Sequence, residues 1–134
     1  SQDLIAVLAR SGIKLNVTAV MTRDQIGQVA ECLWKDTPAV SSVFAGRIAD
    51  TGRNPVSTVN HALLRRRQPY HEVLWASPRQ VLDVYRADEI FCDIITCTPD
   101  LIAKLNLRGR DLKEYSRQTV QQFFDDAVQA KYSL

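Results

Sequence analysis

The stretch Ile13-Lys14-Leu15-Asn16-Val17-Thr18-Ala19-Val20, followed by Met21-Thr22-Arg23-Asp24-Gln25-Ile26, decides how this chain reads. Its first seven residues alternate apolar and polar, the two-residue period of a strand. Ile13, Leu15, Val17 and Ala19 fall on one face, and Lys14, Asn16 and Thr18 on the other. Thr22 then stands where a helix N-cap belongs, with Gln25 three residues on to complete a capping box. Ile26, Val29, Ala30 and Leu33 follow at i, i+3, i+4 and i+7, one apolar helical face. The stretch is a βα unit.

Working outward, residues 3–10 read as the end of a helix, stopped at Ser11-Gly12. Downstream the unit recurs three times. A strand at 39–46 leads through a loop, Arg47 to Arg53, to a helix opened by Asn54 and Pro55. A strand at 71–76 is followed by Ser77 as N-cap and Pro78 at the first helical position. A strand at 90–96 is followed by Thr98 and Pro99. A polar-faced helix over about 111–130 comes last. Strands alternating with helices of this length predict right-handed βα units and a parallel sheet. No linker or low-complexity segment interrupts the pattern, so residues 1–134 read as a single unit.

The 134 residues are 46% hydrophobic and 24% charged, globular values that exclude disorder and collagen. No apolar run approaches the roughly 18 residues of a membrane helix. The opening SQDLIAVLAR has neither a basic n-region nor a cleavage site, so no signal peptide is expected. Seventeen basic residues against 15 acidic give +2, too mild to imply a nucleic-acid or membrane partner. The basic run Arg65-Arg66-Arg67 reads as a solvated helix end. Three cysteines with no CxxC spacing argue against a disulfide framework or zinc site. Cys92 and Cys97 are expected on opposite faces of the fourth strand, as core thiols of a cytoplasmic protein. His61 and His71 read as structural, and no metal site is expected. A nucleotide-binding sheet would carry a glycine-rich loop after its first strand, but Met21-Thr22-Arg23-Asp24 contains no glycine.

Parallel strands buried on both faces are almost continuously apolar. Here Asn16 and Thr18 share one strand face, Ser42 repeats the feature on the second strand, and Arg47 and Ser77 follow strand ends. Polar groups in such places are hydrogen-bonded or line a cavity. The C-terminal edge of a parallel sheet is where active sites are built.

These residues carry a resemblance. Gly12-Ile13-Lys14-Leu15-Asn16-Val17-Thr18 resembles the fifth barrel strand of the transaldolase and fructose-6-phosphate aldolase family, which ends in Asn-x-Thr. Ser42-Val43-Phe44-Ala45-Gly46-Arg47-Ile48 resembles the sixth strand, Ser-Pro-Phe-Val-Gly-Arg-Ile, with Val43 in place of proline. Val73-Leu74-Trp75-Ala76-Ser77 followed by Pro78-Arg79-Gln80-Val81-Leu82 resembles the seventh, and Asp93-Ile94-Ile95-Thr96 followed by Pro99-Asp100-Leu101 the eighth.

The resemblance implies an α/β fold of parallel βα units, the C-terminal half (strands five to eight) of a TIM (βα)8 barrel. Whole barrels need about 200 residues or more. It implies aldol transfer or cleavage of a ketose or its phosphate through a lysine Schiff base, with no cofactor. The lysine would lie on strand four, outside this chain; Lys14 stands at the base of strand five, away from the catalytic edge. By position Asn16 and Thr18 are the candidate catalytic residues, beside the Schiff base and the catalytic water. Ser42 and Arg47 are candidate contacts to substrate hydroxyl and phosphate, and Ser77 and Arg79 join them. Strand seven departs from the family's Ala-Ser-Phe-Arg or Ala-Ser-Phe-Lys, with Pro78 in third place; the loop reads as shortened, which also admits a substrate without phosphate. The implied partners are a small sugar phosphate, the remaining half of the barrel and further copies of the chain. The alternative reading is a non-catalytic α/β scaffold or regulatory subunit derived from the same fold.

Overall fold

The computed structural model describes residues 1–131. A first helix α1 (Gln2–Arg10) is capped at its start by the Ser1 hydroxyl, and the chain turns at Gly12 with φ +78. Four βα units follow: β1 (Leu15–Val20) with α2 (Arg23–Cys32), β2 (Ala39–Val43) with α3 (Ala45–Asp50) and α4 (Val56–Arg65), β3 (His71–Trp75) with α5 (Val81–Glu89), and β4 (Ile94–Ile95) with α6 (Pro99–Lys104). A 3-10 turn at Leu105–Leu107 precedes α7 (Leu112–Gln129). Two compact units result, Ser1–Ile102 and a second beginning at Ala103. No helix among the described residues is long and apolar enough to cross a membrane.

The strands are all parallel and lie in the order β1-β2-β3-β4. Val17, Ala39, Val43, Val73, Trp75 and Ile95 project from one sheet face into a core shared with Ile5 of α1, Ile26 and Val29 of α2, Ile48 of α3, Val59 and Ala62 of α4, and Ala87 of α5. Every helix in this list packs on the same face. Sequential parallel strands with helices on one face make a singly wound sheet, the winding that closes into a barrel; a doubly wound sheet divides its helices between two faces. The opposite face carries a smaller cluster of Val40, Leu74 and Ala76 with Phe44 and Ile94.

Local chemistry explains the boundaries. Thr22 and Gln25 form the expected capping box: Gln25 N–H donates to the Thr22 hydroxyl at 3.2 Å, and Gln25 Oε1 accepts from Thr22 N–H at 3.0 Å. The Thr98 hydroxyl accepts from Leu101 N–H at 3.3 Å and opens α6 as expected. Three expectations need correction. The second strand does not run to residue 46 with a loop behind it: Ala45–Asp50 is α3, because Ala76 N–H donates to the Val43 carbonyl and Gly46 N–H to the Ala76 carbonyl, closing the strand end. Ser77 is not the cap of α5. The cap is Gln80, and the Asp83 carboxylate accepts from both Arg79 N–H (2.7 Å) and Gln80 N–H (3.1 Å). The fourth strand is not 90–96 but two residues long. Ile90 caps α5, Phe91 takes φ +57, and Asp93 accepts from Val73 N–H at 2.8 Å where a strand carbonyl would otherwise pair. Cys92 and Cys97 therefore flank β4 rather than lying within it; all three cysteines are free thiols.

Candidate functional site

Paired residues of a parallel ladder point to the same side. The register aligns Asn16, Val40 and Glu72 in one row, and Ser42, Leu74 and Ile94 in the next row toward the C-terminal edge. Asn16 and Ser42 therefore share the face opposite α1 to α5. Thr18 follows Val17, which packs on the helix side, so alternation turns Thr18 to that same face. The pairing then shifts between Val17 and Val20, and Ala19 adopts φ +62. This bulge spends one extra residue in β1, so Val20 and not Ala19 returns to the core, at 3% exposure. Asn16 and Thr18 are exposed and Ser42 is buried. Glu72 joins this face without having been singled out from the sequence; its position between His71 and Val73 was the available signal.

The C-terminal edge gathers the rest. Phe44 N–H donates to the Val20 carbonyl and Thr96 N–H to the Trp75 carbonyl, so the loops leave the strands in step. Ser77, with φ +58, turns the chain directly over Gly46, where a Cβ would stand 1.5 Å from the Ser77 carbonyl oxygen. No residue but glycine fits under that loop. Ser77, Pro78 and Arg79 then line one side of a cavity of about 340 Å³, with Thr96, Cys97 and Thr98 on the other. Arg79 reaches back to α3 and pairs with Asp50 at 2.8 Å, both side chains about half exposed. Arg47 also stands on α3, exposed, and makes no ion pair among the described residues. It does not line the cavity, so Ser77 and Arg79 share that space without it.

The cavity thus offers the hydroxyls of Ser77, Thr96 and Thr98 beside the Arg79 guanidinium, while Asn16 and Thr18 stand exposed on the adjoining sheet face. Hydroxyls and amides both donate and accept, and guanidinium forks match phosphate oxygens. Among the described residues no group of three histidine, cysteine or carboxylate side chains is placed to hold a metal ion. His71 is buried, its Nε2 at 3.1 Å from the carbonyl oxygens of both Trp34 and Thr37. Two acceptors require that nitrogen to carry the proton, which makes it the structural histidine that was expected.

The family model for transaldolase/fructose-6-phosphate aldolase matches residues 2–134. The chain belongs to this family. The match spans both compact units and agrees with a parallel, singly wound α/β fold. No curated protein matches the chain. The Asn-x-Thr segment lies in β1 and the Gly-Arg-Ile segment in α3. The sequence did not single out Asp50 or Asp83, and it read Thr98 as a helix cap rather than as part of a cavity wall. Gly46, immediately before the conspicuous Arg47, was the legible sign of close backbone approach.

Proposed function

We propose that the chain serves aldol transfer or cleavage of a ketose or ketose phosphate through a lysine Schiff base, the lysine lying outside these residues. Residues 1–134 then act as one transaldolase-like half-barrel, strands five to eight with the C-terminal helix. The remaining half completes the mouth, and further copies of the chain assemble with it. The observation that carries this reading is the family match, joined to one sheet face that holds Asn16, Thr18 and Ser42. The ketose carbonyl condenses with the lysine amine and releases water. The β-hydroxyl gives up its proton as the carbon–carbon bond breaks and an aldehyde leaves. The protonated imine draws the electron pair, an aldehyde or a proton then takes that pair up, and water hydrolyses the imine to free the lysine. Asn16 and Thr18 stand on the face where the imine and its water would lie. Ser42 meets a substrate hydroxyl, and Arg47 meets the anionic end, with Ser77 and Arg79 offered from the neighbouring cavity. Fructose 6-phosphate and borohydride added to the full-length protein should leave a reduced adduct, read by intact mass. An unchanged mass, with a known Schiff-base aldolase labelled in parallel, overturns the reading and favours the non-catalytic scaffold.

A further inference from the structure

At the opposite, N-terminal end of the sheet a second cavity, of about 310 Å³, opens where α1 and α2 end and β3 begins. Helices of a βα unit run antiparallel to their strands, so their C-termini lie at the end remote from the candidate active site. The wall carries three cations, Arg10, Lys35 and Arg67, against one carboxylate, Glu31. None of the four is ion-paired among the described residues. Arg10 is laid over the Trp34 ring with its guanidinium carbon 5.3 Å from the centroid, which fixes its plane and leaves its N–H edge unspent. His71, held by two carbonyls, closes the wall as a rigid element. The arginine run at the end of α4 also divides by role. Arg66 is tied to Asp93 at 2.7 Å, while its neighbour Arg67 is left to the cavity.

We infer that this cavity is a binding site for a small phosphorylated anion, separate from the candidate active site. Three cations around one carboxylate leave an excess of positive charge that outweighs the partial negative ends of α1 and α2 beside it. Guanidinium groups accept phosphate oxygens two at a time, and the volume lies at the small end of ligand pockets, about 300 to 1,000 Å³. The cations are water-exposed, so binding is modest and weakens as salt is added.

Trp34 is a reporter inside the site, because the other tryptophan, Trp75, is fully buried. Pyrophosphate is titrated into the full-length protein carrying Arg47→Ala, which weakens anion binding at the opposite end. Tryptophan emission and calorimetric heat are followed together. A saturable change is expected in both. Trp34→Phe should abolish the optical change and keep the heat. Arg67→Ala and Lys35→Gln should each weaken binding at least threefold, and Arg10→Ala with Arg67→Ala at least thirtyfold. Absence of saturable heat overturns the proposal, as does heat that survives the Arg10 and Arg67 variants unchanged. Should Arg10→Ala fail to fold, the Arg67 and Lys35 variants, both on exposed side chains, decide alone.

Discussion

Arg47 stands on α3 with no ionic partner among the described residues, close behind the strand end that bears Ser42. If it binds the phosphate of a ketose phosphate, its loss removes a charged hydrogen bond worth roughly 2–3 kcal/mol. In the full-length enzyme Arg47→Ala should then lower kcat/KM for the phosphorylated ketose by about 30- to 200-fold. The unphosphorylated sugar should be nearly unaffected. Thr18→Ala is the control, lowering kcat for both substrates alike. An unchanged ratio between the two substrates removes the phosphate role from Arg47. A second residue-scale expectation concerns Cys92, whose thiol is pushed up chiefly by burial. A raised pKa in the folded state means that folding favours the protonated thiol. The stability this contributes is complete below the ordinary thiol value of about 8.5 and is lost as pH rises through the raised value. Cys32 is shifted in the same direction, again chiefly by burial. Urea midpoints followed from neutral to alkaline pH should therefore fall, and Cys92→Ala should flatten that fall without abolishing it. An identical alkaline slope in the variant counts against the assignment. At this scale Asn16, Thr18 and Ser42 were legible because polar side chains interrupt apolar strands. Asp50 was not: its segment read as a loop, and only the folded chain brings it 2.8 Å from Arg79.

Among elements, the crossing of the β3–α5 loop over α3 is the tightest point of the site. A methyl group at position 46 would stand 1.5 Å from a backbone oxygen, which no rotamer change relieves. Gly46→Ala should therefore displace the Ser77 loop and cost about 3 kcal/mol or more. Urea denaturation measures that cost. A loss below about 0.5 kcal/mol, the usual range of a neutral surface change, would mean that the crossing is loose. The helix starts at Thr22 and Thr98 were readable because their caps are local. The ends of β2 and β4 were not, since Ala76, Gly46 and Asp93 close them through partners 20 or more residues distant. The bulge at Ala19 escaped for a related reason. Alanine gives no hint of a left-handed φ, which sparsely populated region it adopts because the ladder demands it. The Ser77-Pro78 pair misled in turn, because a cap followed by proline is also what a tight loop over a neighbouring backbone looks like.

For the whole molecule, the described sheet ends in β1 on one side and β4 on the other, each with a single strand neighbour. Unpaired strand edges invite pairing with other chains. The row of Asn16, Val40 and Glu72 also lies on the sheet face opposite α1 to α5. These 134 residues expressed alone should therefore dimerise, aggregate or need the complementary half. Light scattering at tens of micromolar checks this, and a stable monomer would show that the edges are already managed. The parallel α/β class was legible from alternation of strand and helix periods. Winding was not, since it depends on which sheet face each helix covers.

The sequential strand order has a consequence for synthesis. Each strand pairs with the one made just before it, and α2 to α5 pack on one face of that growing sheet, so strand pairing itself never waits for a strand beyond the next βα unit. At ribosomal rates of about 5–20 residues per second, the β1-β2 pair is complete several seconds before β4 emerges. The chain can thus condense one βα unit at a time. The growing edge of the nascent sheet is sealed by each newly made strand until β4, only two residues long, offers the next arrival little ladder on which to pair wrongly.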